Sequence, residues 1–322
     1  MTSPVPAATR RSGIAKRLAV TALAACSLAA CNQTMPINIG GGSSGSVLNS
    51  LSNLTKSAPA SGGGAQAGQP NLIQMLQQSF DQIDEKQEIE IGRQLAAVLL
   101  GSKPLLNDPP LQRYVNQLGR WISLQSSRPN LPWTFGVLDD RGYNAFATPG
   151  GYIFVTKGLI DRVRDESELG GILAHEITHV VSKHHLKAIS ASARTGVLTS
   201  VVASQLKGDL GGQVAQQMLV LGRNLYSRGL DQGDEFEADR RGVALAARAG
   251  LDPYGLVSSL QQLRGASSSD ASFALTLSTH PPAQARMDKV EAAMGRRFDK
   301  MTSGRTVTIS QRVGRNREPG RQ

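Results

Sequence analysis

The hydrophobic texture of the 322-residue chain changes twice along its length. Leu18 to Ala30 form one apolar run, residues 32–69 carry little apolar periodicity, and from Asn71 to about Met301 apolar positions recur at helical or alternating spacing. In that last region a period of three to four predicts helices over 71–100 and 110–124. Alternation predicts short strands at Trp133–Leu138 and Tyr152–Thr156, with Asn144–Ala147 as a further extended stretch. Asp165-Glu166-Ser167-Glu168 then reads as a capping box, with Asp165 as N-cap and Glu168 reaching back. It opens a helix over about 166–188, in which Leu169, Ile172, Leu173, Ile177 and Val181 mark a core-facing side. Two Ala/Val/Leu/Gln-rich helical stretches flank Gly208–Gly212, followed by helices at 234–249, 253–263 and near 282–295. The pattern is α+β, dominated by helix. About 230 residues suffice for one well-buried domain, assigned to 71–302.

The apolar run at the start is too short to anchor a bilayer span but suits the core of a signal peptide over 1–30, with Arg10, Arg11, Lys16 and Arg17 as its basic flank. It ends in Leu28-Ala29-Ala30-Cys31, which resembles the lipobox of bacterial lipoproteins and implies cleavage before Cys31 and acylation of that cysteine. Residue 32 is asparagine, not the aspartate that favours inner-membrane retention, so the periplasmic face of the outer membrane is the expected location. The Gly/Ser/Ala/Gln-rich segment 31–70 cannot bury enough apolar surface to fold and reads as a tether, with a root-mean-square reach of about 35 Å. Cys26 lies in the removed segment, which leaves Cys31 alone and permits no internal disulfide.

The formal charge of +10 falls on processing: four of 35 basic residues leave, so 31 face 25 acidic ones, a net +6. Part of the excess lies in 303–322, read as a basic, disordered tail in which Arg305, Arg312, Arg315, Arg317 and Arg321 face only Glu318. No aromatic residues interleave with these charges, so no nucleic-acid partner is expected, and anionic lipid headgroups are the better neighbour.

The candidate chemistry lies in His175-Glu176-Ile177-Thr178-His179. Positions four apart stack one turn above each other, so both imidazoles leave one helix face and can share a divalent ion, while Glu176 is offset toward a water rather than the ion. A third ligand is needed. His185 stands six residues beyond His179 with no glycine to bend the chain; on an unbroken helix it lies about 9 Å further along the axis and on another face. His184 and His185 are therefore read as solvated, or as lying behind the ligands. Glu235 is the better candidate. It sits one turn before Asp239, on a side continued by Ala238, Gly242, Leu245, Ala246 and Ala249, whose small residues let a neighbouring helix approach. Asp239 can then accept a hydrogen bond from the far nitrogen of a ligand histidine, while Glu237 pairs with Arg241.

Taken together, Asn144-Ala145-Phe146-Ala147 through Pro149-Gly150-Gly151, the 175–179 motif, Ser227-Arg228 leading to Glu235-Phe236-Glu237-Ala238-Asp239, and His280-Pro281-Pro282 with Arg286 resemble the zinc endopeptidases related to the CaaX prenyl protease. The soluble periplasmic lipoprotein branch is the nearest in pattern, over about residues 85–300. The resemblance implies a mostly helical zincin-like domain with a small β-sheet beside the motif helix. It implies one Zn2+ on His175, His179 and Glu235, with Glu176 as general base and Asp239 behind the ligands. His280 would stand at the active-site mouth, where it either assists catalysis or occludes the metal. Neither the membrane helices of the prenyl-protease branch nor the tetratricopeptide tail of some periplasmic relatives is found in this sequence.

Two functions are carried forward. One is a zinc-dependent endopeptidase that cleaves unfolded or misassembled envelope proteins through metal-activated water. Its substrate would add to an edge strand at 152–156, with Asn144, Gly151 and Tyr152 as substrate-edge residues. The alternative is a latent or silent lipoprotein of the same fold, acting as a chaperone or assembly factor beside the outer-membrane assembly machinery.

Overall fold

A computed structural model describes residues 83–194, 229–267, 269–301 and 307–317. The signal peptide, lipobox and tether, the start of the helix expected from residue 71, the stretches flanking Gly208–Gly212 and the Ser227-Arg228 pair lie outside the described residues. The elements, in order, are α1 (Glu85–Ser102), α2 (Pro109–Ser123), β1 (Thr134–Leu138), β2 (Ala145–Thr148), β3 (Tyr152–Thr156), α3 (Lys157–Ile160), α4 (Glu166–Val181), α5 (His184–Arg194), α6 (Gln232–Arg248), α7 (Gly255–Gly265), α8 (Ala274–Thr279), α9 (Ala283–Met294) and α10 (Ile309–Arg317). The chain is α+β and mostly helical, as expected. Among the described residues, no helix is long and apolar enough to cross a membrane.

The sheet has the order β1-β3-β2, with β1 parallel and β2 antiparallel to β3. This overturns the expected edge at 152–156: β3 is hydrogen-bonded on both sides, and all five of its residues are buried. Gly151 and Tyr152 are therefore not at an edge. Gly151 (φ 104°) and Gly150 (φ 76°) form the turn from β2 into β3, a left-handed path that glycine takes without strain. The outer side of β1 is closed by helix α2. Gln112 donates to the Val137 carbonyl (2.8 Å) and accepts from the Val137 N–H (2.8 Å), while Asn116 accepts from Phe135 N–H at 3.1 Å. These two amide side chains, with the backbone N–H of Leu106 on the Val137 carbonyl, pair backbone groups that a fourth strand would otherwise take.

Helix α4 is enclosed by the other described elements. Every residue from Glu168 to Val180 is buried, so its polar members are enclosed with its apolar ones. Leu169, Leu173 and Ile177 are completely inaccessible, and each such side chain contributes about 1.5–3 kcal/mol by leaving water. Helices α2, α6 and α7 and the sheet pack around it. The close approach depends on glycines: a Cβ on Gly242 of α6 would stand 3.0 Å from the His175 nitrogen, and one on Gly171 of α4 would stand 2.6 Å from the Leu256 nitrogen.

Three expectations change here. Asp165 does cap α4, accepting from Ser167 and Glu168 N–H at 2.9 Å each. Glu168, however, accepts from Arg164 N–H instead of reaching back to Asp165. The helix also stops at Val181 rather than running to 188. Lys183 takes a left-handed conformation (φ 57°) and α5 restarts at His184. Finally, the segment read as a disordered tail carries α10, which buries Ile309 and Val313 against the core and places Arg312 on Glu166.

Candidate metal centre

Helix α4 presents His175 and His179 one turn apart, and α6 crosses it at Gly242 with Glu235 and Asp239 facing the imidazoles. His175 Nε2 and His179 Nε2 point at the same spot, 3.0 Å apart. Glu235 Oε2 lies 3.7 Å from His175 Nε2, and Glu235 Oε1 lies 3.5 Å from His179 Nε2. His280, where the chain enters the Pro281-Pro282 turn after α8, brings Nδ1 to 2.6 Å from Glu235 Oε2. Donor atoms of His175, Glu235 and His280 all fall within 4.8 Å of one another. The two segments near 177 and 237 therefore meet, as the sequence reading required.

The donor set fits a divalent ion on two grounds. Tetrahedral bonds of about 2.0–2.1 Å put neighbouring ligand atoms about 3.3–3.4 Å apart, and the separations of 3.0, 3.5 and 3.7 Å bracket that value. Charge agrees. Glu235 and Asp239 are buried carboxylates held in the ionised form, and among the described residues Arg286 is the guanidinium buried beside them. Their net negative charge is costly in a low-dielectric site and is offset by a bound dication.

Arg286 is the residue whose role the sequence did not disclose. From α9 its guanidinium grips Asp239 with both arms, Nε to Oδ2 at 2.8 Å and Nη2 to Oδ1 at 2.6 Å, and its Nη1 lies 3.9 Å from Glu235. Asp239 in turn stands 2.9 Å from His175 Nδ1. Burial opposes ionisation of Asp239, but Arg286 outweighs it and holds the carboxyl well below the usual range. Glu235 behaves alike: burial raises it, but His280, His175 and Arg286 together lower it to about 2. A charged residue four positions into a helix that follows His-Pro-Pro was the available signal; its complete burial was not readable.

His175 and His179 differ. Burial works against charge on His175, yet Asp239 prevails and its pKa is raised; burial first, and then the neighbouring histidines, lower His179 strongly. Burial also raises the pKa of Glu176. Its carboxylate borders a cavity lined by Asn144, Ala145, His179, Glu235 and His280, so β2 runs along the wall of this cavity. Of the three residues expected at the substrate edge, Asn144 lines the cavity, whereas Gly151 packs against Trp133 and Tyr152 lies in the central strand. His184 and His185 are not solvated. They are 3% and 9% exposed, and all five histidines of the chain gather around the site through contacts of their rings. Glu237 pairs with Arg241 at 2.6 Å, as expected.

The sequence profile of peptidase family M48 matches residues 108–294, which span α2 to α9 and hold every residue of this cluster. The chain belongs to peptidase family M48. Membership in this family implies a divalent metal. The beta-barrel assembly-enhancing protease of Escherichia coli K12 is 30% identical over 206 residues, covering 62% of this chain and 42% of the relative. That of Yersinia pestis is 32% identical over 216 residues, with the same coverages of 62% and 42%. The mitochondrial metalloendopeptidase OMA1 of Schizosaccharomyces pombe is 30% identical over 192 residues, covering 59% of this M48 chain and 55% of the relative. The M48 chain thus spans about half the length of the relatives it matches.

Proposed function

We propose that this M48 protein is a zinc-dependent endopeptidase of the bacterial envelope, in which His175, His179 and Glu235 hold the ion and Glu176 is the general base. One observation carries the reading: the Nε2 atoms of His175 and His179 and the Glu235 carboxylate converge at ligand spacing beside the Glu176 carboxylate, at the wall of an open cavity. When bound, the ion supplies Lewis acidity, polarising a carbonyl and making water easier to deprotonate.

The chain's own residues do the rest. Glu176 accepts the proton of the attacking water and returns it to the departing amine, and its burial-raised pKa suits both halves of that transfer. Asp239, braced by Arg286, keeps the proton of His175 on Nδ1 and so leaves Nε2 as a lone pair. The proposed path for an extended segment of an unfolded polypeptide runs alongside β2, past Asn144 and Ala145, which line the cavity. Unfolded or misassembled envelope proteins are the proposed substrates, with attachment to the periplasmic face of the outer membrane through lipidated Cys31. The Escherichia and Yersinia relatives, named for enhancing beta-barrel assembly, support that setting and the outer-membrane assembly machinery as a partner. Glu176→Gln should retain zinc while casein cleavage falls about 10²–10⁴-fold. Undiminished turnover removes Glu176 from the mechanism.

A second reading is favoured by one contact. His280 Nδ1 lies 2.6 Å from Glu235 and within the donor cluster, so it can complete the coordination and hold the protein latent, as a chaperone or assembly factor. Comparing casein cleavage by wild type and His280→Ala separates the two: activity gained on removal marks a latent protease, and none in either, with client binding intact, marks the chaperone.

A further inference from the structure

The break after α4 returns a third histidine to the motif helix. Lys183 adopts φ 57°, a left-handed conformation that residues other than glycine rarely take. Its Nζ lies 3.2 Å from Glu88 Oε2, a fully buried carboxylate also gripped by Arg128 at 2.8 and 3.0 Å. The turn so fixed starts α5 with His184 folded back, and His184 Nδ1 comes to 2.9 Å from His179 Nδ1. Beyond it, His184 Nε2 faces Asp234 Oδ1 at 3.6 Å and Glu237 Oε2 at 3.9 Å.

A hydrogen bond between two ring nitrogens needs one donor and one acceptor. Resting on the metal centre proposed above, we infer that His184 is a positioning residue: it accepts the Nδ1–H of His179 and so reserves the His179 Nε2 lone pair for the ion. The carboxylates of Asp234 and Glu237 favour the other end of the same arrangement, because they draw the His184 proton to Nε2 and leave its Nδ1 free to accept. The glutamate-anchored turn at Lys183 sets the distance. Each metal-binding histidine thus has its own holder, Asp239 for His175 and His184 for His179.

The test uses the full chain and zinc itself, titrated against a chromophoric chelator, with the cobalt-substituted spectrum and the melting temperature of the metal-free protein as companion readouts. His184→Phe keeps a ring but cannot accept; His184→Asn can. We expect His184→Phe to bind zinc about 10–100-fold more weakly and to shift the cobalt bands, with His184→Asn recovering most of the affinity at a similar metal-free melting temperature. Wild-type affinity in His184→Phe overturns the inference. So does equal loss in both variants, or a loss that follows a fall in metal-free stability. A wild-type protein that takes up no stoichiometric zinc overturns the metal centre itself, a separate failure visible before any variant is made.

Discussion

His175 and His179 stand one turn apart on the same buried helix, yet their surroundings are unlike. The far nitrogen of His175 meets a carboxylate that is itself clamped by a buried guanidinium. The far nitrogen of His179 meets the imidazole of His184. A carboxylate enriches the ring it holds and raises its pKa; an imidazole orients without charging, and burial then keeps His179 neutral. The first holder is rooted in α6 and α9, deep in the core. The second depends on a strained turn and on α5, beyond the end of the motif helix. One half of the site is therefore built by core packing, the other by a local chain reversal.

This contrast can be broken at several points. The largest effect is expected at Arg286, which is 4% exposed. Arg286→Met leaves Asp239 buried without its partner and should cost about 3–5 kcal/mol in chemical denaturation of the metal-free protein; a loss under 1 kcal/mol would show the clamp to be incidental. Gly242→Ala pushes a methyl to 3.0 Å from the His175 nitrogen and should destabilise the fold by about 1–3 kcal/mol. The contrast makes this an effect on the His175 side, so altered cobalt bands with unchanged stability would contradict it.

Asp239→Asn should weaken zinc binding about 10–100-fold. Because charge-assisted hydrogen bonds are roughly twice as strong as neutral ones, that loss should exceed the loss for His184→Phe. The reverse order would remove the asymmetry. The smallest effect belongs to Arg241→Ala. Its pair with Glu237 is half exposed, so stability should change by less than about 0.5 kcal/mol, read from the melting temperature.

The central helices and the strands were legible from their periods and, for α4, from its start at Asp165. The meeting of Glu235 and Asp239 with the motif helix was legible as well, since Gly242 and Ala238 announce a close approach. The break at Lys183 was not. Left-handed turns are usually marked by glycine or asparagine, and here a lysine is held there by Glu88, nearly a hundred positions earlier in the chain. Of the two places expected for His184, solvent or behind the ligands, that turn selects the second. Strand order was hidden too, because buried β3 and outer β2 look alike in sequence when both faces of the sheet are covered. Helix α10 was missed because its few apolar positions, Ile309 and Val313, are set among arginines.

Spacing along the chain sufficed to put two imidazoles and a carboxylate at set offsets on one helix, with further carboxylates on another, because side-chain direction on a helix follows from spacing. How each of these groups is held came from the folded arrangement. Which strand lies in the middle, which arginine is buried and where α4 stops depend on contacts between residues far apart in the chain. No local propensity encodes them.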